Sequence, residues 1–138
     1  MPLRLRRLSG SRLILKDKIK EGQIWSYKSR SSEPGSKLTV IKLDTPGNEQ
    51  IVHISVDSLR ITQRNTGEVT ATYIEHLPMS LDAFSKSVIK IESIVETSIN
   101  EGYLDWKNKF DEGKAGVWSL EISEVIEMIE NIYTDAPL

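Results

Sequence analysis

The chain has two imidazoles: His53 in the run Ile51-Val52-His53-Ile54-Ser55 and His76 in Ile74-Glu75-His76-Leu77-Pro78. Each falls near the middle or the end of an expected strand. Were those strands neighbours, the two rings would approach one another and could share a proton or bind a metal. A metal would still need a third ligand, and nothing nearby has metal-motif spacing. A pair of histidines on the solvent face of a sheet is common by chance, so no metal site is expected. A hydrolase or metal-dependent enzyme using His53 and His76 is the second alternative reading.

Other chemistry is thinner. No serine sits in a Gly-x-Ser-x-Gly elbow, and the order Glu75-His76 with Ser80 beyond it lacks the signals of an oxyanion site. There is no cysteine, which removes disulfides, thiolate nucleophiles and cysteine-ligated metals. The glycines are isolated turn or cap residues, and neither a Walker loop nor a dinucleotide fingerprint can be written with them. No cofactor and no catalytic residue are therefore expected, and the chain reads as a non-enzyme. Asp105, Asp111 and Glu112, then Glu121, Glu124, Glu127 and Glu130, are plentiful carboxylates, but at helical spacing opposite an apolar stripe they describe a wet face.

That wet face belongs to a larger asymmetry. Residues 1–30 carry nine Lys or Arg against two acidic residues, a balance of 9 − 2 = +7, whereas residues 67–138 carry five Lys against fourteen acidic residues, 5 − 14 = −9. The whole chain is nearly neutral, at −2. Charge divided in this way points to a charged partner. The acidic end lies on expected helices and forms a fixed surface: Glu121, Glu124, Glu127 and Glu130, with Trp118 as the aromatic anchor beside them. The basic end, Arg4, Arg6, Arg7, Arg12, Lys16 and Lys18, is a candidate contact for nucleic acid, with Trp25 and Tyr27 as stacking platforms, but it lacks a basic domain behind it.

The elements that must position these residues follow from periodicity. Residues 1–20 have too many charges and too little apolar pattern for a core element and read as a basic arm, with a short edge strand over Arg12 to Leu15 as an option. Residues 21–138 read as one domain. Runs over residues 23–28, 37–43, 49–57 and 68–77 are rich in β-branched and aromatic residues and separated by turn formers, which predicts an antiparallel sheet. In the third run Val52, Ile54 and Val56 are the expected core face. From Ser80, a good N-cap, Leu81, Phe84, Val88, Ile91, Val95 and Ile99 advance by three or four and predict a helix, continuing through Tyr103, Trp106 and Phe110 with a break near Asn100-Glu101-Gly102. Val117 to Leu120 suit a short extended piece. Ile122, Val125, Ile126 and Ile129 mark a last helix.

The expected fold is α+β: an N-terminal antiparallel sheet of four to five strands, with closure into a small barrel open to it, packed on one face by two to three C-terminal helices. The expected function is a small non-catalytic binding protein that presents the acidic helical surface to a protein partner with a basic surface, by analogy of charge and size with bacterial immunity or antitoxin proteins. The first alternative is nucleic-acid binding through the arm. No apolar run is long enough for an export signal or a membrane span, so a cytoplasmic protein with no membrane partner is expected. Oligomeric state is not legible.

Overall fold

The computed structural model describes residues 18–63 and 65–135, with side chains through Ile132. Among the described residues the elements from Gln23 onward follow one another as β1 (Gln23–Tyr27), β2 (Lys37–Asp44), β3 (Ile51–Asp57), β4 (Ile61–Thr62), β5 (Val69–Ala71), β6 (Ile74–Ser80), α1 (Leu81–Ser87), β7 (Val88–Ile94), α2 (Glu101–Asp111) and α3 (Ile122–Asp135). Five strands form one antiparallel sheet in the order β6-β3-β2-β1-β7, and β4 and β5 form a separate two-stranded ribbon. The α+β architecture is the expected one; among the described residues the sheet ends at β6 and β7 and does not close into a barrel.

The core lies on the sheet face that carries Leu38, Val40, Val52, Ile54, Val56, Leu77 and Met79. Phe84 of α1 and Ile122, Val125 and Ile126 of α3 are fully buried against it, and Trp25 meets Phe84 edge to face at 5.6 Å. Burying each such side chain contributes roughly 1.5–3 kcal/mol. Ser80 caps α1 as expected, accepting from the Ala83 amide at 3.1 Å. Ser87 at the other end of α1 donates to the Ala83 carbonyl and accepts from the Ile122 amide, so one hydroxyl ties α1 to the start of α3.

Two features differ from the sequence reading. The apolar stripe Leu81–Ile99 is not one helix: α1 stops after seven residues and Val88–Ile94 is strand β7, paired with β1 through Trp25 opposite Ile91 and Tyr27 opposite Val88. Intervals of three and four fit Val88, Ile91 and Val95 to a helix, but Val88, Ile89 and Ile91 are β-branched, and the free edge of β1 supplies the run with a ladder. Second, the helices do not share one face. Along β3 both alternating sets are buried, because α2 covers the face that carries Ile51 and His53 while α1 and α3 cover the other. The expected extended piece is present as a single parallel bridge between Trp118 and Met79, with Ser80 donating to the Trp118 carbonyl and Trp118 to the Pro78 carbonyl.

Among the described residues no helix is long and apolar enough to cross a membrane.

Candidate functional site

The two histidines meet. β3 and β6 are neighbours with His53 opposite Pro78, so His76, two residues along β6, lies diagonally across on the same face. His53 Nδ1 is 2.8 Å from His76 Nε2, the ring planes differ by 18° and the centroids are 5.0 Å apart. On its other side His53 Nε2 is 3.0 Å from Asp44 Oδ2. Asp44 ends β2 opposite Ile51, which places its carboxylate diagonally from His53 across the β2–β3 hairpin. Tyr103 of α2 donates its hydroxyl to the same Asp44 oxygen at 2.7 Å.

This chain of contacts fixes the protons. Asp44 Oδ2 is an acceptor, so His53 Nε2 carries hydrogen and donates; His53 Nδ1 then holds a lone pair and accepts from His76 Nε2–H; His76 Nδ1 is left as an acceptor. His53 has no exposed surface and is enclosed by the edges and faces of Tyr103 and Trp106, with ring centroids at 4.8 and 4.7 Å. Burial lowers the His53 pKa to about 4, helped by the adjacent His76 and opposed by Asp44. Burial likewise lowers His76 to about 4, opposed by Glu75. Both imidazoles are therefore neutral near pH 7. Burial, then the Asp44 hydrogen bond, pushes the Tyr103 hydroxyl up, so it remains a donor.

The start of α2 is fastened over these rings. Asn100 is its N-cap, accepting from the Tyr103 amide at 3.0 Å, while its own amide donates to the Glu75 carbonyl; the Gly102 amide donates to the Glu75 carboxylate. A Cβ at Gly102 would come 2.9 Å from His76 Cβ, so only glycine allows this approach. Farther along, Trp106 stacks on Phe110 at 4.6 Å and donates to the Gly116 carbonyl.

His76 also lines a groove of about 480 Å³ that runs along the outer edge of β6. Its walls come from Ile61 and Ala71 of the β4–β5 ribbon, Ile74 and Leu77 of β6, Gly102 of α2, and Ile129 and Ile132 of α3. Tyr73, half exposed, stands at its rim. A mostly apolar recess with one imidazole and one carboxylate converging on it is the usual form of a ligand site.

The acidic residues of α3 divide between its two flanks. Glu124, Met128 and Ile132 are spaced by four, all exposed, and Ile132 lines the groove. Glu121, half-buried, immediately precedes the helix. Glu127 and Glu130 lie on the other flank and grip Arg30, at 3.0 and 2.9 Å. Arg30 also pairs with Glu33 at 2.6 Å, whose carboxylate is buried and accepts from the Arg60 amide. These partners, Glu33 foremost, push the Arg30 pKa up. Burial alone would raise the Glu130 carboxyl, but the Thr62 amide and Arg30 outweigh it and hold it below the usual range. Trp118 is half-buried against the core and is not among the groove's lining residues. Of the basic set, Lys18 is exposed; Arg4, Arg6, Arg7, Arg12 and Lys16, with the optional strand at Arg12 to Leu15, lie outside the described residues.

Sequence reasoning named His53 and His76 but missed Asp44, Tyr103, Glu75 and Gly102. The turn Thr45-Pro46-Gly47-Asn48 between two strands carried a usable signal for Asp44, since pairing outward from it brings position 44 beside 53. Among the described residues no group of three or more His, Asp or Glu side chains is arranged to hold a metal ion. Compared with family models, curated proteins and solved structures, the chain finds no match in any of the three.

Proposed function

We propose that the protein is a binding protein that engages a basic protein partner through the groove-side flank of α3, with an apolar side chain of the partner seated in the groove. One observation carries this reading: exposed Glu124, Met128 and Ile132 form a single stripe that runs into an apolar recess of about 480 Å³. An apolar centre with charge at its rim is the anatomy of a specific interface, and the acidic rim both steers a basic partner and selects it. His76 Nδ1, an acceptor, and the Glu75 carboxylate favour a hydrogen-bond donor on the partner, which agrees with a Lys or Arg next to the apolar anchor.

The test is affinity capture on the intact protein, compared with a Glu121→Lys/Glu124→Lys variant and with an Ile132→Glu variant. A basic protein captured by the parent and lost by both variants, with melting temperatures unchanged, supports the reading. A partner retained equally by all three contradicts it.

A second reading, acid–base catalysis at the groove, is favoured by the Asp44–His53–His76 chain, which would polarise His76 Nδ1 as a proton acceptor for a bound hydroxyl or amine. Asp44→Asn would then abolish turnover of any substrate found while leaving groove binding intact. Under the binding reading no turnover is lost, and the same variant alters stability alone.

A further inference from the structure

The opposite end of the sheet carries an independent feature. β7 is an edge strand, and among the described residues no strand pairs with its outer side. The densest cluster of exposed aliphatic side chains lies along and just beyond it: Ile89 at 61% exposure, Ile94 at 72%, with Ile91, Val95 and Ile99 less so. An unpaired, apolar edge is a template for another strand, and folded proteins ordinarily guard it with a charge that repels a second copy. The charges here do the reverse. Lys90 and Glu92 flank Ile91 on one strand, 3.9 Å apart, both reaching solvent.

We propose that β7 pairs antiparallel with β7 of a second copy, about a two-fold axis through Ile91, to join two five-stranded sheets edge to edge. In that register Lys90 of each copy stands opposite Glu92 of the other, giving two equivalent ion pairs, and Val88 of each stands opposite Ile94 of the other. A two-fold interface must be self-complementary, and Lys-Ile-Glu centred on the axis meets that condition, whereas two lysines or two glutamates at these positions would not. β1 skips Ile89 and Glu92 in its own pairing with β7. The resulting bulges increase the twist of the edge, so the joined ladder is centred on residues 90–92 and is short. Ile89, Ile94 and Val95 then supply the buried apolar area that a short ladder lacks. This pairing leaves the groove beside α3 free, since that groove lies at the β6 edge.

Sedimentation velocity of the full chain over a hundredfold concentration range decides it. The expected result is a monomer–dimer equilibrium that Lys90→Glu alone and Glu92→Lys alone each weaken by about tenfold or more, since each turns two attractive pairs into two repulsive ones. The double variant Lys90→Glu/Glu92→Lys restores the attractive pairs and should restore the dimer. Unchanged melting temperatures of all three show that the fold survives. A monomer at every concentration overturns the proposal, whether the edge is covered by the chain's own first residues or simply bare. A dimer indifferent to the single reversals, or not recovered in the double variant, places the contact on another surface and overturns it as well.

Discussion

At the scale of single residues the centre of the molecule is the Asp44–His53–His76 chain, and its protons give the clearest prediction. Both rings are depressed in the native state, to about 4, whereas an unfolded chain has them near 6.5. Below pH 6.5 the unfolded chain binds protons that the native protein does not, so stability is complete above that pH and falls as pH drops toward 4. Urea midpoints should therefore decline between pH 6.5 and 4, and His76→Gln should flatten that decline; equal midpoints across the window would contradict the neutral pair. Gly102→Ala is the matching steric prediction. Its methyl meets His76 Cβ, and overpacking of this kind costs about 1–3 kcal/mol. The measure is the change in unfolding free energy. The histidines were legible because strand patterning placed them. Tyr103 was not, since its position on an apolar helical stripe is indistinguishable from a core aromatic until the register of the hairpin brings Asp44 to its hydroxyl.

Among the elements, α3 is held from both sides: its apolar face fills the core and its Glu127–Glu130 flank closes on Arg30. Arg30→Met would leave the Glu33 carboxylate buried beside the Arg60 amide without its cation. Removing one partner of a buried pair costs about 3–5 kcal/mol, so this variant should be far less stable than Glu124→Ala, which removes only an exposed carboxylate. Parallel denaturation curves make the comparison. The strands, the Ser80 cap and the last helix were legible from period and capping chemistry. β7 was not: Val88, Ile91 and Val95 satisfy helical spacing locally, and only the free edge of β1, a long-range fact, selects the strand. The same edge explains why helices occupy both faces of the sheet, since α2 can reach His53 only after the chain has crossed along β7.

For the whole molecule, the division of charge becomes more specific once the acidic helix is placed. Two of its three glutamates, Glu127 and Glu130, are spent on Arg30, and the third, Glu124, is exposed on the stripe that runs through Met128 to Ile132 at the groove. Binding of a basic partner there should weaken as salt rises, because the exposed carboxylates are screened over about 8–10 Å at physiological ionic strength, while the apolar anchor in the groove should hold a residual affinity that salt does not remove. The most direct measurement is selection of a random peptide library on the intact protein, followed by amide chemical-shift mapping of the enriched peptides. The groove reading predicts sequences that place a bulky apolar residue beside Lys or Arg, with shifts concentrated at Tyr73, His76, Gly102, Ile129 and Ile132. Enriched peptides without cations, or shifts that avoid those residues, would contradict it.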